Sequence, residues 1–304
     1  MELERSPRWG RIVCRIEWWM ANAARAVVVA LPERLSRFAG RALAGASRLV
    51  IGKRRRVARE QAEAALGPQG RAVARACLGQ LGEMVVEICR IPRDFNASNW
   101  RARIDIEGEE NLRAAEAKGS GVIAIGSHLG NWMVGCAATC YLGRKVTWLV
   151  RPLENPLIQK KLVEVLSISG QKSVEKWGGL RESVEALRRN EILVVVADQD
   201  ARKEGIFVPF FGRPASTIRM PAILSRRTGA PLMVFSCVRT PSGRFRLRFE
   251  PPFQVGEGDA GVEEATARFT AETERTIRTA PEQWLWIHRR WKTKPPPAPG
   301  TAVG

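Results

Sequence analysis

Histidine and tyrosine are nearly missing: 304 residues hold two histidines, His128 and His288, and one tyrosine, Tyr141. Six cysteines are scattered at 14, 77, 89, 136, 140 and 237. Cys136 and Cys140 would lie one helical turn apart, yet neither histidine completes a metal site with them, so no metal or other cofactor is expected. The thiols read as reduced and buried, in a cytosolic compartment. No zinc-finger spacing and no RNP-like aromatic pattern occurs, which argues against a nucleic-acid module. No apolar run is long enough to span a bilayer, because Arg25 cuts the best one. Early acidic residues and the lack of a clear cleavage site argue against a signal peptide.

Acid is also in deficit. The chain carries 49 Lys+Arg against 31 Asp+Glu, a net charge of +18. Such a balance implies an acidic partner: nucleic acid, an anionic lipid or an acidic carrier protein. Residues 1–60 hold 14 Lys/Arg and five Asp/Glu, so half of the net charge lies in the first fifth. Ile12, Ile16, Trp19, Ala23, Val27 and Ala30 recur at helical spacing, while Arg11, Arg15, Asn22 and Arg25 fall on another side. A basic, Trp-bearing amphipathic helix fits a membrane interface; a core-packing helix is the plainer alternative. Pro32 ends it. Further helices are expected over about 34–50, 56–66 and 70–91, the last closed by Pro92, and Lys53-Arg54-Arg55-Arg56 reads as a solvated face that can also meet lipid phosphates.

From residue 103 strands and helices alternate. Strands are expected at 104–106, 122–125, 145–150, 192–197, 232–238 and 244–249, and helices at 109–118, 132–141, 155–168, 180–189, 221–227 and 262–279. This is an α/β pattern, a central mixed sheet flanked by helices with an α-helical, membrane-facing N-terminal segment. The expected division is a helical segment over 1–100, an α/β core over 101–294 and a disordered tail over 295–304.

Chemistry concentrates in a few blocks. His128 follows the apolar run Val122–Ile125 on a turn with Gly130 and Asn131, where open α/β sheets bind ligands. Arg151 ends a strand just before a helix N-terminus, a natural anion site, with pairing to Glu154 as the bland reading. Asp198 also leaves a buried strand. The run Phe207-Val-Pro-Phe-Phe, with Gly212 and Arg213, reads as an apolar loop able to line an acyl channel or simply to pack. Pro281–Trp291 is Trp-rich and basic, and His288 within it reads as structural.

In order and spacing these blocks, "SHLGNW", "RPLENPLI", "DQD…FVPFFGRPAST", "TGAP" and "PEQWLWIHRRWK", resemble the bacterial lipid A late acyltransferases within the lysophospholipid acyltransferase superfamily, from about Arg25 to Lys294. The resemblance implies an enzyme on the cytoplasmic face of the bacterial inner membrane. It would move a fatty acyl chain from an acyl carrier protein or coenzyme A thioester to a hydroxyl of a lipid A precursor or lysolipid. It implies His128 as general base, Arg151 or turn N–H groups as oxyanion donors and Asp198 as a further catalytic group. Asn131, Trp132, Asn155, Gln199, Phe207, Phe210 and Arg213 are the expected substrate-binding residues. One departure stands out. The family pattern His-x-x-x-x-Glu/Asp has Met133 in the acid's place. Asp198, Asp200 or Glu154 substitutes, or the protein is slow, or it binds lipid or acyl carrier without turnover. If the carboxylate is simply missing, Met133→Glu should raise turnover.

Overall fold

The computed structural model describes residues 7–46, 52–150, 152–175 and 179–296. Four helices come first: α1 (Pro7–Ala30), α2 (Glu33–Ala46), α3 (Gly52–Leu66) and α4 (Gly70–Asp94). Arg90, buried on α4, donates to the carbonyls of Val28 and Leu31 at 2.6 and 2.7 Å. It thereby satisfies acceptors that the end of α1 leaves without helical partners. Pro92 does not end α4. The helix runs two residues further, held by the Arg90–Asp94 pair and by the Phe95 N–H donating to Ile91 at 2.9 Å. A proline this late removes one bond only, and the turn survives it.

The apolar stripe of α1 is not core. Ile12, Ile16, Trp19 and Val27 are all exposed, Trp19 by 67%, and Phe38 and Leu43 on α2 by 73% and 75%. Large apolar side chains in such numbers on one face mark a surface that meets something else. Among the described residues no helix is long and apolar enough to cross a membrane.

The α/β part contains β1 (Ile104–Glu107), α5 (Glu109–Glu116), β2 (Val122–Gly126), α6 (Trp132–Tyr141), β3 (Val146–Val150), α7 (Pro156–Ser167), β4 (Lys172–Glu175), α8 (Leu180–Arg188) and β5 (Ile192–Val196). It continues with β6 (Ile206–Phe210), β7 (Arg213–Thr217), α9 (Met220–Thr228), β8 (Leu232–Arg239), β9 (Phe245–Phe249) and α10 (Gly258–Thr279). Seven strands form one sheet in the order β1-β9-β8-β2-β5-β3-β4. All neighbours are parallel except β8–β9, so the sheet is mixed. Side chains alternate across it. Val122 and Ala124 join Val134, Ala137 and Trp148 on one face, while Ile123 and Ile125 meet Leu187, Leu224 and Phe269 on the other. Both faces are covered, which explains why β2 reads as an unbroken apolar run.

Three strands escape the sequence pattern. β4 is an edge strand whose only apolar residue is Val174. β6 and β7 form a hairpin where an apolar loop was expected, with Pro209 facing Pro214 in register. Phe211 and Gly212 turn it, both at positive φ (50° and 69°), the handedness that matches a twisted hairpin. The two prolines hide the strands, because proline donates no ladder bond.

Candidate active site

β2 and β5 are adjacent and parallel, with Gly126 opposite Val196. Two residues beyond those ends stand His128 and Asp198, at the same carboxyl edge of the sheet, where a doubly covered sheet leaves its crevice. The pairing of the strands continues as far as the Ala197 N–H, which donates to Gly126 at 3.1 Å. Register therefore delivers the carboxylate to the imidazole across 70 residues of sequence.

The contact is direct. His128 Nδ1 lies 2.7 Å from Asp198 Oδ1, and the His128 backbone N–H donates to Oδ2 at 2.8 Å. The Trp284 indole N–H donates to the same Oδ2 at 2.7 Å. Asp198 is buried and its carboxylate accepts three bonds, whereas the imidazole keeps 30% of its side chain exposed. Burial raises the acid's pKa, but the imidazole and the three donors outweigh it and hold the carboxyl down at about 2. Burial likewise lowers the His128 pKa, and the charge and hydrogen bond of Asp198 overcome it, leaving the imidazole above its ordinary value. An ionised carboxylate at Nδ1 assigns the proton there, so Nε2 carries the lone pair. Nε2 faces the exposed Gln199 amide, 3.2 Å away.

The turn itself is rigid. A Cβ at Gly130, whose φ is +59°, would sit 2.2 Å from the Cys237 carbonyl oxygen, so only glycine fits. The N–H groups of Gly130 and Asn131 donate to Gln283 and Cys237, and that of His128 to Asp198. The expectation of turn N–H groups as oxyanion donors is therefore corrected for these three, which already have protein acceptors. Asn131 caps α6 by accepting from the Val134 N–H, and its amide donates to Glu87 at 3.1 Å. Glu87 in turn holds Arg239, so a buried polar network clamps the turn from α4 and β8.

The expected substrate-binding residues divide. Gln199 is at the imidazole. Asn131 is buried as a cap, and Trp132 packs edge-on against Trp148 at 5.5 Å. Asn155 caps α7 and donates to the Cys14 carbonyl, tying α7 to α1. Phe210 is buried against Trp284 and Trp291, and the Arg213 guanidinium lies over the Trp291 ring at 4.7 Å. Phe207 is half-buried on β6. Phe210 and Arg213 thus belong to the aromatic packing behind Asp198, and of the seven it is Gln199 that hydrogen-bonds Nε2. Arg151 lies outside the described residues. Of the substitute acids, Asp200 accepts from Thr293 at 2.9 Å and Glu154 is exposed; Asp198 alone of the three meets His128. Met133 packs against the core cluster containing Val134 and Trp148. Sequence reasoning missed Trp284. Its signal was present, three tryptophans in one short segment, but its partner could not be named without the fold.

The profile of a family described as bacterial lipid A biosynthesis acyltransferase matches residues 10–293. The chain is 29% identical over 293 residues to the lipid A biosynthesis palmitoleoyltransferase of Escherichia coli K12, covering 91% of each chain. It is 29% identical over 209 residues to the lipid A biosynthesis lauroyltransferase of the same strain, covering 68% of this chain and 66% of that one. It is 26% identical over 223 residues to a phosphatidylinositol mannoside acyltransferase of Mycobacterium tuberculosis (strain CDC 1551 / Oshkosh), covering 71% and 69%. With the match spanning nearly the whole chain, the protein belongs to the bacterial lipid A biosynthesis acyltransferase family.

Proposed function

We propose that the protein transfers a fatty acyl chain from an acyl carrier protein or coenzyme A thioester to a hydroxyl of a lipid A precursor or lysolipid. The single observation that carries this is the His128–Asp198 pair on a partly exposed imidazole whose Nε2 meets the exposed Gln199 side chain. The acceptor hydroxyl binds at Nε2, displacing the Gln199 amide. Its oxygen attacks the thioester carbonyl carbon while Nε2 takes the proton. Asp198 stabilises the imidazolium that forms, as the carboxylate does in other His–carboxylate pairs. The tetrahedral intermediate then expels sulfur, and the imidazolium returns the proton to the thiolate, giving ester and free thiol. Arg151 and Gln199 are the proposed donors to the oxyanion.

The competing reading, a member that binds lipid without turnover, rests on Met133. The Asp198 contact weakens it, because Nδ1 already has a carboxylate. Thioester consumption by the purified protein with a panel of lipid acceptors decides between them. Turnover that vanishes in His128→Ala supports the enzyme; lipid binding without thioester loss in wild type discards it.

The proposal includes the cytoplasmic face of the inner membrane. Trp19, Phe38 and Leu43 support it, together with a groove of about 810 Å³ between α1, α2, α4 and α7 lined by Leu43, Val85, Ile158 and Leu162. Apolar faces of this kind bind the headgroup boundary, and the arginines around them favour anionic lipid. Because Arg90 and Asn155 tie α1 into the fold, point changes are a cleaner test than truncation. Trp19→Glu/Phe38→Glu/Leu43→Glu should sediment less with phosphatidylglycerol liposomes. Equal sedimentation would remove the membrane assignment.

A further inference from the structure

The basic run 53–56 does not behave as one solvated face. Helical geometry separates it. Arg55, Arg56 and Arg59 look into one basin with Arg71, whereas Lys53 and Arg54 look into another, of about 370 Å³. The second basin adjoins the candidate active site. Gln199, whose amide is 3.2 Å from His128 Nε2, forms part of its wall.

Five cations line that basin: Lys53 and Arg54 from α3, Arg202 from the segment after β5, and Arg289 and Lys292 from the C-terminal segment. Among the described residues none of the five makes an ion pair, and Asp200, the one carboxylate in the wall, is already bound by Thr293. These cations come from three separate parts of the chain, and the fold holds them together. Gln61 of α3 donates to the carbonyls of Trp286 and His288 at 2.8 and 2.7 Å and accepts from the Arg290 N–H at 2.9 Å. Arg202 has a φ of +58°, uncommon for a residue with a Cβ, and its carbonyl accepts from Ser216 at 2.6 Å. A backbone held there against its preference is a reason to look for a function. Gathering like charges in a concave wall costs self-repulsion and focuses a positive field, which an anion relieves.

We infer that this basin is a phosphate subsite, which seats a phosphate or pyrophosphate group of a substrate while its reacting end lies at His128. Arginine and lysine from three sides match phosphate oxygens through charge-assisted bonds. The inference rests on the acyltransfer reading of His128. The group belongs either to a phosphopantetheine-type donor or to a phosphorylated glycolipid acceptor, and both share this chemistry.

The two histidines make the test direct. His288 lies in the basin wall and His128 beside it, so their imidazole NMR signals report occupancy without any turnover. Inorganic pyrophosphate should shift the His288 signals saturably in the full-length protein in detergent micelles. Lys53→Gln/Arg54→Gln/Arg289→Gln should need at least ten-fold more pyrophosphate, whereas Arg55→Gln/Arg56→Gln/Arg59→Gln, on the other side of α3, should titrate like wild type. Coenzyme A reversing the pyrophosphate shift, with pantetheine inert, assigns the site to the donor. A phosphorylated disaccharide lipid doing so, with its dephosphorylated form inert, assigns it to the acceptor. No saturable shift in wild type, an unchanged titration in the Lys53 triple variant, or displacement by neither substrate would overturn the subsite. Pyrophosphate binding in a protein that consumes no thioester would keep the subsite and discard the reaction.

Discussion

His128 and His288 have the same side chain and opposite circumstances. His128 meets a buried carboxylate at Nδ1 and presents Nε2 to a half-open crevice. His288 Nε2 accepts the Asp200 backbone N–H at 3.2 Å, so the nitrogen a base would use is occupied. Burial leads the shift at both. At His128 the adjacent Asp198 charge reverses it, whereas at His288 burial wins and the pKa falls below the ordinary value. What separates the proposed base from the other imidazole here is the partner, not the exposure.

Breaking the contrast outright should give the largest effect. His128→Ala is expected to lower kcat by about 10⁴, the upper range for a lost general base, with the fold kept because the ring is partly exposed. His288→Gln, which can still accept the Asp200 N–H, should leave kcat within about three-fold. Comparable losses in both variants would remove the distinction.

Asp198→Asn comes next, with an expected loss of up to about 10⁴ in kcat, as for an orienting acid replaced by its amide. The pH profile carries the more specific sign. The proposed base would work as neutral imidazole, so the rate should rise as pH climbs through the His128 pKa. Asp198 holds that pKa up; without its charge only burial remains, which pushes it down. The acid limb of kcat should therefore move to lower pH even as the plateau drops. A limb that stays in place would mean Asp198 does not set the imidazole's charge.

Trp284→Phe should sharpen the same comparison at smaller amplitude, about five-fold in kcat, by removing one donor from a charged acceptor. Asp198 then has two donors instead of three, a more basic carboxylate, and a stronger hold on the imidazolium proton. The acid limb should move to higher pH, opposite to Asp198→Asn.

How much of this could be read in the sequence differs by kind. The buried parallel strands were legible because a sheet covered on both faces demands continuous apolar runs, and His128 and Asp198 were legible as polar residues leaving such runs. Their partnership was legible only as one of three alternatives, with Asp200 and Glu154, since only the order of strands puts β5 beside β2 and selects Asp198. The hairpin 206–217 was hidden by prolines facing one another, and Phe210 passed for a channel residue because burial against Trp284 and Trp291 depends on a segment 74 to 81 residues further along the chain. Asn131 and Asn155 sit in the blocks that carry the resemblance, yet the structure shows each as a helix cap, the local use their side chains favour.

Met133→Glu should have the smallest effect on turnover, and the structure removes the gain expected from the sequence pattern. A missing acid at this position predicts a gain when the carboxylate returns. The gain depends on Nδ1 having no carboxylate, and Asp198 already fills that role at 2.7 Å. A carboxylate at this position supplies nothing that Nδ1 lacks, and it should leave kcat within about two-fold. Its cost appears elsewhere. Met133 is partly buried against the Val134 and Trp148 cluster, and α6 carries no cation in its sequence to pair with a glutamate. Desolvating an unpaired carboxylate there should lower unfolding stability by about 2 kcal/mol. Denaturant melts and turnover measured on the same preparation check both halves. A ten-fold rise in kcat that disappears in His128→Ala/Met133→Glu would show that Asp198 orients the imidazole inadequately and that the usual acid is missed. Unchanged kcat with a lowered denaturation midpoint would show that the carboxylate role has passed from α6 to the end of β5.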